Sequence, residues 1–224
     1  MYRIMIETPL GLSKVVSQTP PPVVQSLPAK PDRHVTQMPG SSEIPEYLFR
    51  LALAATRDGY WATAARHLRD ASHYLQSAAR LAPDASRRES LRHVAAQVRL
   101  AATAASCEQT TGSEHLRLFA QAQLALADCE QRLALLAWLR NDNRRAGCHL
   151  DSAMRQYQRA EAWIDNAGAR ADIDPATDAQ RIADALADGW QVRADRVTDL
   201  VFGLERDIAR LTRIVQPMPL PVRS

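Results

Sequence analysis

The chain of 224 residues contains few cysteines, few glycines and few aromatic residues. Its three cysteines, Cys107, Cys129 and Cys148, are odd in number and never spaced as Cys-x-x-Cys, which argues against a disulfide framework. The longest apolar run, residues 133–139, is far shorter than the roughly 20 residues that a membrane-spanning helix needs. The first residues lack a charged segment followed by an apolar run of signal length, so we expect a cytoplasmic protein with no transmembrane segment.

Motifs for catalysis are also missing. The six histidines never recur at the three- or four-residue spacing of a helical metal site. The sequence has neither a glycine-rich phosphate loop nor a Gly-x-Ser-x-Gly elbow. We therefore predict a protein that is not an enzyme and that has no catalytic residue, metal site or cofactor. The alternative is an enzyme or small-molecule binder whose site is built from residues scattered along the chain.

What the sequence does have is a helix-forming composition between two proline-rich ends. Alanine, leucine, arginine and glutamine are abundant, and these residues lose little side-chain freedom in a helix. Eight of the 13 prolines lie in the first 45 residues and three in the last eight. We interpret residues 1–42 and 217–224 as disordered tails and residues 43–216 as a helical domain.

Apolar residues within this domain recur at alternating intervals of three and four, which places an apolar stripe along each helix. Turn sequences such as Asp58-Gly59 and Asn141-Asp142-Asn143 separate the periodic segments. The predicted helices cover residues 43–57, 60–82, 84–106, 114–140, 143–166 and 175–215. Because most connections are short, we expect an all-α protein, either a six-helix bundle or stacked helical hairpins.

An internal match at an offset of 82 residues suggests a duplication. Gly59 corresponds to Asn141 in the turn, and Leu68 corresponds to Leu150 in the helix that follows, without a gap. The match predicts two related three-helix halves. These halves would cover residues of about 43–107 and 114–216.

The first of the two matched hairpins resembles a known repeat. Its pattern Gly59-x-Trp61-x-x-Ala64-x-x-x-Leu68-x-x-Ala71 is similar to the turn and second helix of a tetratricopeptide repeat. The second copy departs from that pattern, with asparagine in place of both the glycine and the tryptophan. The resemblance implies a helical-repeat scaffold that binds peptides or proteins and that has no catalytic residues.

The last predicted helix keeps its apolar spacing for more than three heptads. Its seam comprises Val197, Val201, Leu204, Ile208 and Leu211, continued towards the N-terminus by Ala194 and Trp190. β-Branched residues alternating with leucine are typical of parallel two-stranded coiled coils. The pattern is compatible with a homodimer or partner-helix seam, but further apolar residues widen the stripe, which favours a helix that packs inside its own chain.

Charge gives a second functional hypothesis. The formal net charge of +3 permits contact with nucleic acid without requiring it. Arg144, Arg155 and Arg159 of the fifth predicted helix form a possible interaction face, although acidic residues interrupt it. The preferred prediction is a protein–protein interaction scaffold acting as adaptor, chaperone or assembly factor. The alternative is a nucleic-acid-binding accessory protein that uses these arginines.

Overall fold

The computed structural model describes residues 43–107, 112–167 and 177–215, and almost all of them lie in α-helices. The helices are α1 (Ile44–Arg57), α2 (Trp61–Leu81), α3 (Ala85–Ser106), α4 (Gly112–Leu139), α5 (Asn143–Asn166), α6 (Thr177–Ala187) and α7 (Ala194–Val215). Because these residues contain no strand, the prediction of an all-α fold is confirmed. The predicted tails, 1–42 and 217–224, lie outside the described residues.

The prediction of a single helix over residues 175–215 is wrong, because the chain turns between α6 and α7. Gly189 has a φ of +83°, a left-handed conformation that glycine adopts without steric cost. Its amide donates to the carbonyl of Leu186, and this bond ends α6. Trp190, which the sequence placed on the seam, therefore lies between the helices and is 68% exposed. Pro175 lies outside the described residues.

The turns after α1 and α4 have the same geometry. The left-handed residue is Gly59 (φ +78°) in the first and Asn141 (φ +59°) in the second. Both turns contain the two hydrogen bonds of a Schellman motif. The same two bonds end α6 at Gly189, which is not part of the 82-residue match. The shared turn is thus a common way to end a helix, and the duplication and the tetratricopeptide resemblance stay predictions.

Helix α4 is the centre of the fold and packs against α1, α3, α5 and α7. Its residues 122–127 are all buried, so this stretch of α4 does not carry the single apolar stripe predicted from the sequence. The side-chain amides of Gln121 and Gln131 donate to the carbonyls of Val215 (3.2 Å) and Val201 (3.0 Å). These two bonds fix α7 antiparallel to α4.

Helices α2 and α6 complete the fold on the outside. Helix α2 packs on α1 and α3, and α6 packs mainly on α5. Gly147 of α5 lets α6 approach closely, because a Cβ at this position would lie 2.7 Å from the carbonyl oxygen of Ala183. No helix in the described part of the chain is both long and apolar enough to cross a membrane.

Candidate interaction groove

The predicted seam of α7 lies inside the chain. Its five residues are at most 7% exposed, and they belong to the apolar core that α7 shares with α4. Of the two possibilities left open by the sequence, the structure shows the intramolecular one. A homodimer would have to use another surface.

The three predicted arginines do not form one uncompensated cationic face. Arg155 is ion-paired with Asp151, one turn earlier in α5. Arg159 lies 3.7 Å from the carboxylate of Glu43, which precedes α1. Arg144 is exposed near the start of α5. Two of the three charges are therefore matched by carboxylates, which weakens their attraction for a phosphate backbone.

Aromatic rings fill the space between α1, α4 and α5. Phe119 of α4 stacks on Phe49 of α1 with ring centroids 4.3 Å apart, and it meets Trp163 of α5 edge-on at 5.4 Å. His115 lies one turn before Phe119 and stacks on it at 5.7 Å. Burial lowers the pKa of His115, against a weaker opposing effect of Glu114. We refer to these rings, with Glu46 and Gln123, as the closed side of α4.

A buried carboxylate ties the closed side together. Glu46 of α1 is 8% exposed. One of its oxygens accepts hydrogen bonds from the side-chain amide of Gln123 (3.0 Å) and the indole of Trp163 (2.8 Å). The other accepts one from Arg50 (2.6 Å). Both oxygens are thus occupied, and the carboxylate links three helices instead of facing a ligand.

A polar pocket of about 440 Å³ lies between α2, α4, α5 and α6. Nδ1 of His149 lies 2.7 Å from a carboxylate oxygen of Glu130 in its wall. The side-chain amide of Gln180 donates to both Asp151 (2.8 Å) and Asp184 (2.9 Å). The carboxylates of the wall thus already have hydrogen-bond partners, so a ligand would have to displace existing bonds. In the described part of the chain, no three His, Cys, Asp or Glu side chains come together as a metal site.

The other side of α4 carries a groove of about 700 Å³, walled by α3 and α7. Leu124 and Ala125 of α4 form its floor, joined by Val94 of α3 and Ile208 of α7. At 100° per residue, Leu124 and Ala125 point roughly opposite to Phe119 on α4. Polar side chains form the rims, among them Ser90, Gln97, Gln121, Glu205, Thr212 and Arg213. This groove is the open side of α4.

The two ends of the groove differ in charge. Asp128 and Glu205 line one end, and Arg213 lines the other. Burial raises the pKa of Asp128; Arg87, which donates to it at 2.8 Å, opposes this, and Glu205 adds to it. Arg87 pairs with Asp128, so Glu205 is the carboxylate at this end for which no ion pair is seen among the described residues.

Of the residues on the open side, the sequence analysis named only Ile208, as part of the seam of α7. The groove itself was not predicted, because its residues come from three helices and are ordinary on their own. One available indication is Ala209, an exposed alanine beside the predicted seam. A small residue next to an apolar stripe leaves room for another helix. Comparisons of the chain with protein-family models, with curated proteins and with solved structures find no match.

Proposed function

We propose that this protein is a non-enzymatic scaffold that binds a partner protein through the groove between α3, α4 and α7. The groove is the observation that carries the proposal. An apolar floor surrounded by a polar rim is the usual anatomy of a protein–protein interface. Such a role fits an adaptor, a chaperone or an assembly factor.

The groove supports partner binding better than the polar pocket does. In the pocket, Glu130, Asp151 and Asp184 already have hydrogen-bond partners, which a ligand would have to replace. In the groove, the apolar floor residues are at most 9% exposed, so a partner would gain mainly by packing its side chains against them and by covering the more exposed rim. A partner can therefore cover the groove without breaking a buried polar network.

The test is a comparison of two arginine substitutions at exposed alanines. Ala209→Arg places a long charged side chain in the groove, and Ala162→Arg places the same side chain on the exposed face of α5. Affinity purification of the tagged full-length chain should recover the same partner with the wild type and with Ala162→Arg. Recovery should fall about tenfold or more with Ala209→Arg, which corresponds to roughly 1.4 kcal/mol.

Two outcomes would contradict the proposal. One is that no protein is recovered above background at several salt concentrations. The other is equal recovery of the partner by all three chains. The nucleic-acid alternative makes a different prediction for the same preparation: bound nucleic acid would be released steeply as salt rises, and Arg144→Ala with Arg155→Ala and Arg159→Ala would weaken it.

A further inference from the structure

We infer that the occupant of the groove is an amphipathic helix of the partner protein, engaged over about two turns and running antiparallel to α4. The inference rests on the proposed function and adds the shape, length and direction of the bound segment. Three features of the groove support it: the helical walls, the spacing of the lining residues and the charges at its two ends.

The walls favour a helix over an extended peptide. The two walls and the floor are helices, whose main-chain groups already bond within each helix, so the groove has no strand edge with free N–H and C=O groups. An extended segment would bury its own main-chain groups without partners, at about 1–3 kcal/mol for each. A helix satisfies these groups internally and presents only side chains. The alanines Ala125 and Ala209 leave room for those side chains.

The lining residues set the length. Along α3 they extend from Ser90 to Gln97, and along α7 from Glu205 to Arg213. At 1.5 Å per residue, these spans are about 10–12 Å, or two helical turns. Two turns of an incoming helix present apolar side chains at positions i, i+3 or i+4, and i+7. The occupant should thus anchor itself with three apolar residues.

The charges set the direction. The N-terminus of a helix carries a partial positive charge and favours a nearby carboxylate, here that of Glu205, because Asp128 is already paired with Arg87. The C-terminus is partially negative and favours Arg213 at the other end. A helix in this orientation runs parallel to α7 and antiparallel to α4.

A partner protein fits the groove better than a second copy of this chain. The described helices use their apolar stripes for their own core, as the buried seam of α7 shows. Large exposed apolar residues occur on several different helices, for example Leu81 on α2, Leu100 on α3 and Phe202 on α7. These residues do not supply a free apolar stripe of the kind that the groove requires.

Photo-cross-linking in the full-length chain tests the inference. A photoreactive amino acid replaces either Ser90 or Gln97, at opposite ends of α3 in the groove, and a third chain carries it at Ala162 as the control. Both groove positions should cross-link to one segment of one partner. The residues labelled from position 90 should lie about seven residues before those labelled from position 97, because the intervening distance is about 10 Å.

Several results would overturn the inference. A separation of about three residues would indicate an extended segment, since a strand rises about 3.3 Å per residue. If the residues labelled from position 90 came after those labelled from position 97, the bound helix would run in the opposite direction. Cross-links to this chain's own sequence, or labelling no stronger than from position 162, would mean a different occupant or none. If Ala209→Arg abolishes recovery of the partner while the segment proves extended or reversed, the proposed function stands and this inference fails.

Charge reversal provides a second measurement on a synthetic peptide of the cross-linked segment. Glu205→Arg should weaken binding of the peptide about two- to fivefold at low salt, the size of a helix-dipole effect, and the difference should shrink at high salt. Asp199→Arg reverses an exposed charge on α7 outside the groove and is the matched control. Equal affinities of these two variants would contradict the assigned direction.

Discussion

The closed and open sides of α4 differ in the size of the side chains that its neighbours bring to it. On the closed side, α1 and α5 contribute Phe49, Trp163 and the carboxylate of Glu46, which leave no room beside Phe119. On the open side, α3 and α7 contribute mainly small or polar residues such as Ser90 and Ala209, and a groove remains.

The difference shows how one buried helix can serve two purposes. Large side chains that are fully buried contribute most of the packing and transfer free energy. Small side chains at a helix surface contribute little to stability, but they leave an apolar floor that a partner can cover. We therefore expect substitutions on the closed side to change folding, and substitutions on the open side to change binding.

Phe119→Ala should have the largest effect. Phe119 is fully buried and contacts three other rings, so its truncation leaves a cavity that the rigid neighbours cannot fill. We expect the free energy of unfolding to fall by about 3–5 kcal/mol, measured by urea denaturation followed by circular dichroism. Phe202→Ala, at a phenylalanine that is 47% exposed on α7, should cost less than about 1 kcal/mol. If both variants lost a similar free energy of unfolding, the rings of the closed side would not be a main source of stability.

Glu46→Ala should have the next largest effect. The substitution leaves the buried amide of Gln123 and the indole of Trp163 without an acceptor, at about 1–3 kcal/mol for each. We expect the free energy of unfolding to fall by about 2–4 kcal/mol. Glu46→Gln keeps one acceptor oxygen and should cost less. The control is Glu89→Ala at an exposed residue of α3, which should change the free energy of unfolding by no more than about 0.5 kcal/mol. If Glu89→Ala and Glu46→Ala lowered the free energy of unfolding equally, the buried hydrogen bonds of Glu46 would not contribute to stability.

The sequence was sufficient to predict most of the helices, because they depend on local periodicity and on turn residues. The predicted boundaries of the first five helices agree with the structure to within two residues at each end. The break at Gly189 was missed because the heptad pattern of α7 continues backwards through Ala194 to Trp190. Apolar spacing alone cannot show where a helix begins when residues of the preceding turn happen to continue the same spacing.

The hydrogen bonds of Glu46 and the groove could not be predicted from the sequence, because each joins residues from several helices. Glu46 and Trp163 are 117 residues apart, and no local pattern links them. The groove is formed by the separation of α3 from α7 over α4, which depends on how helices pack and not on their spacing in sequence. By contrast, the predicted seam of α7 was visible, but its intramolecular location became clear only when α4 was seen to cover it.

A third and smaller effect concerns pH on the closed side. Burial holds the pKa of His115 below its ordinary value of 6.5, so the folded chain keeps the ring neutral while the unfolded chain takes up a proton. This contribution to stability is fully present above pH 6.5 and is lost as the pH falls below it, by at most about 1.4 kcal/mol per pH unit. His115→Leu should flatten the decrease between pH 7.5 and 5.5. An unchanged slope would show that His115 is not the group involved.

The smallest effect on folding is expected from Ala209→Arg on the open side. The side chain at this position points into the groove, where an arginine can keep its charged end in water and lay its methylene groups on the rim. The free energy of unfolding should therefore change by no more than about 0.5 kcal/mol, although partner recovery should fall about tenfold. A loss of stability comparable to that of Glu46→Ala would show that the groove is part of the core. The two sides of α4 would then differ only in degree, and the loss of a partner in this variant would reflect unfolding and not a blocked surface.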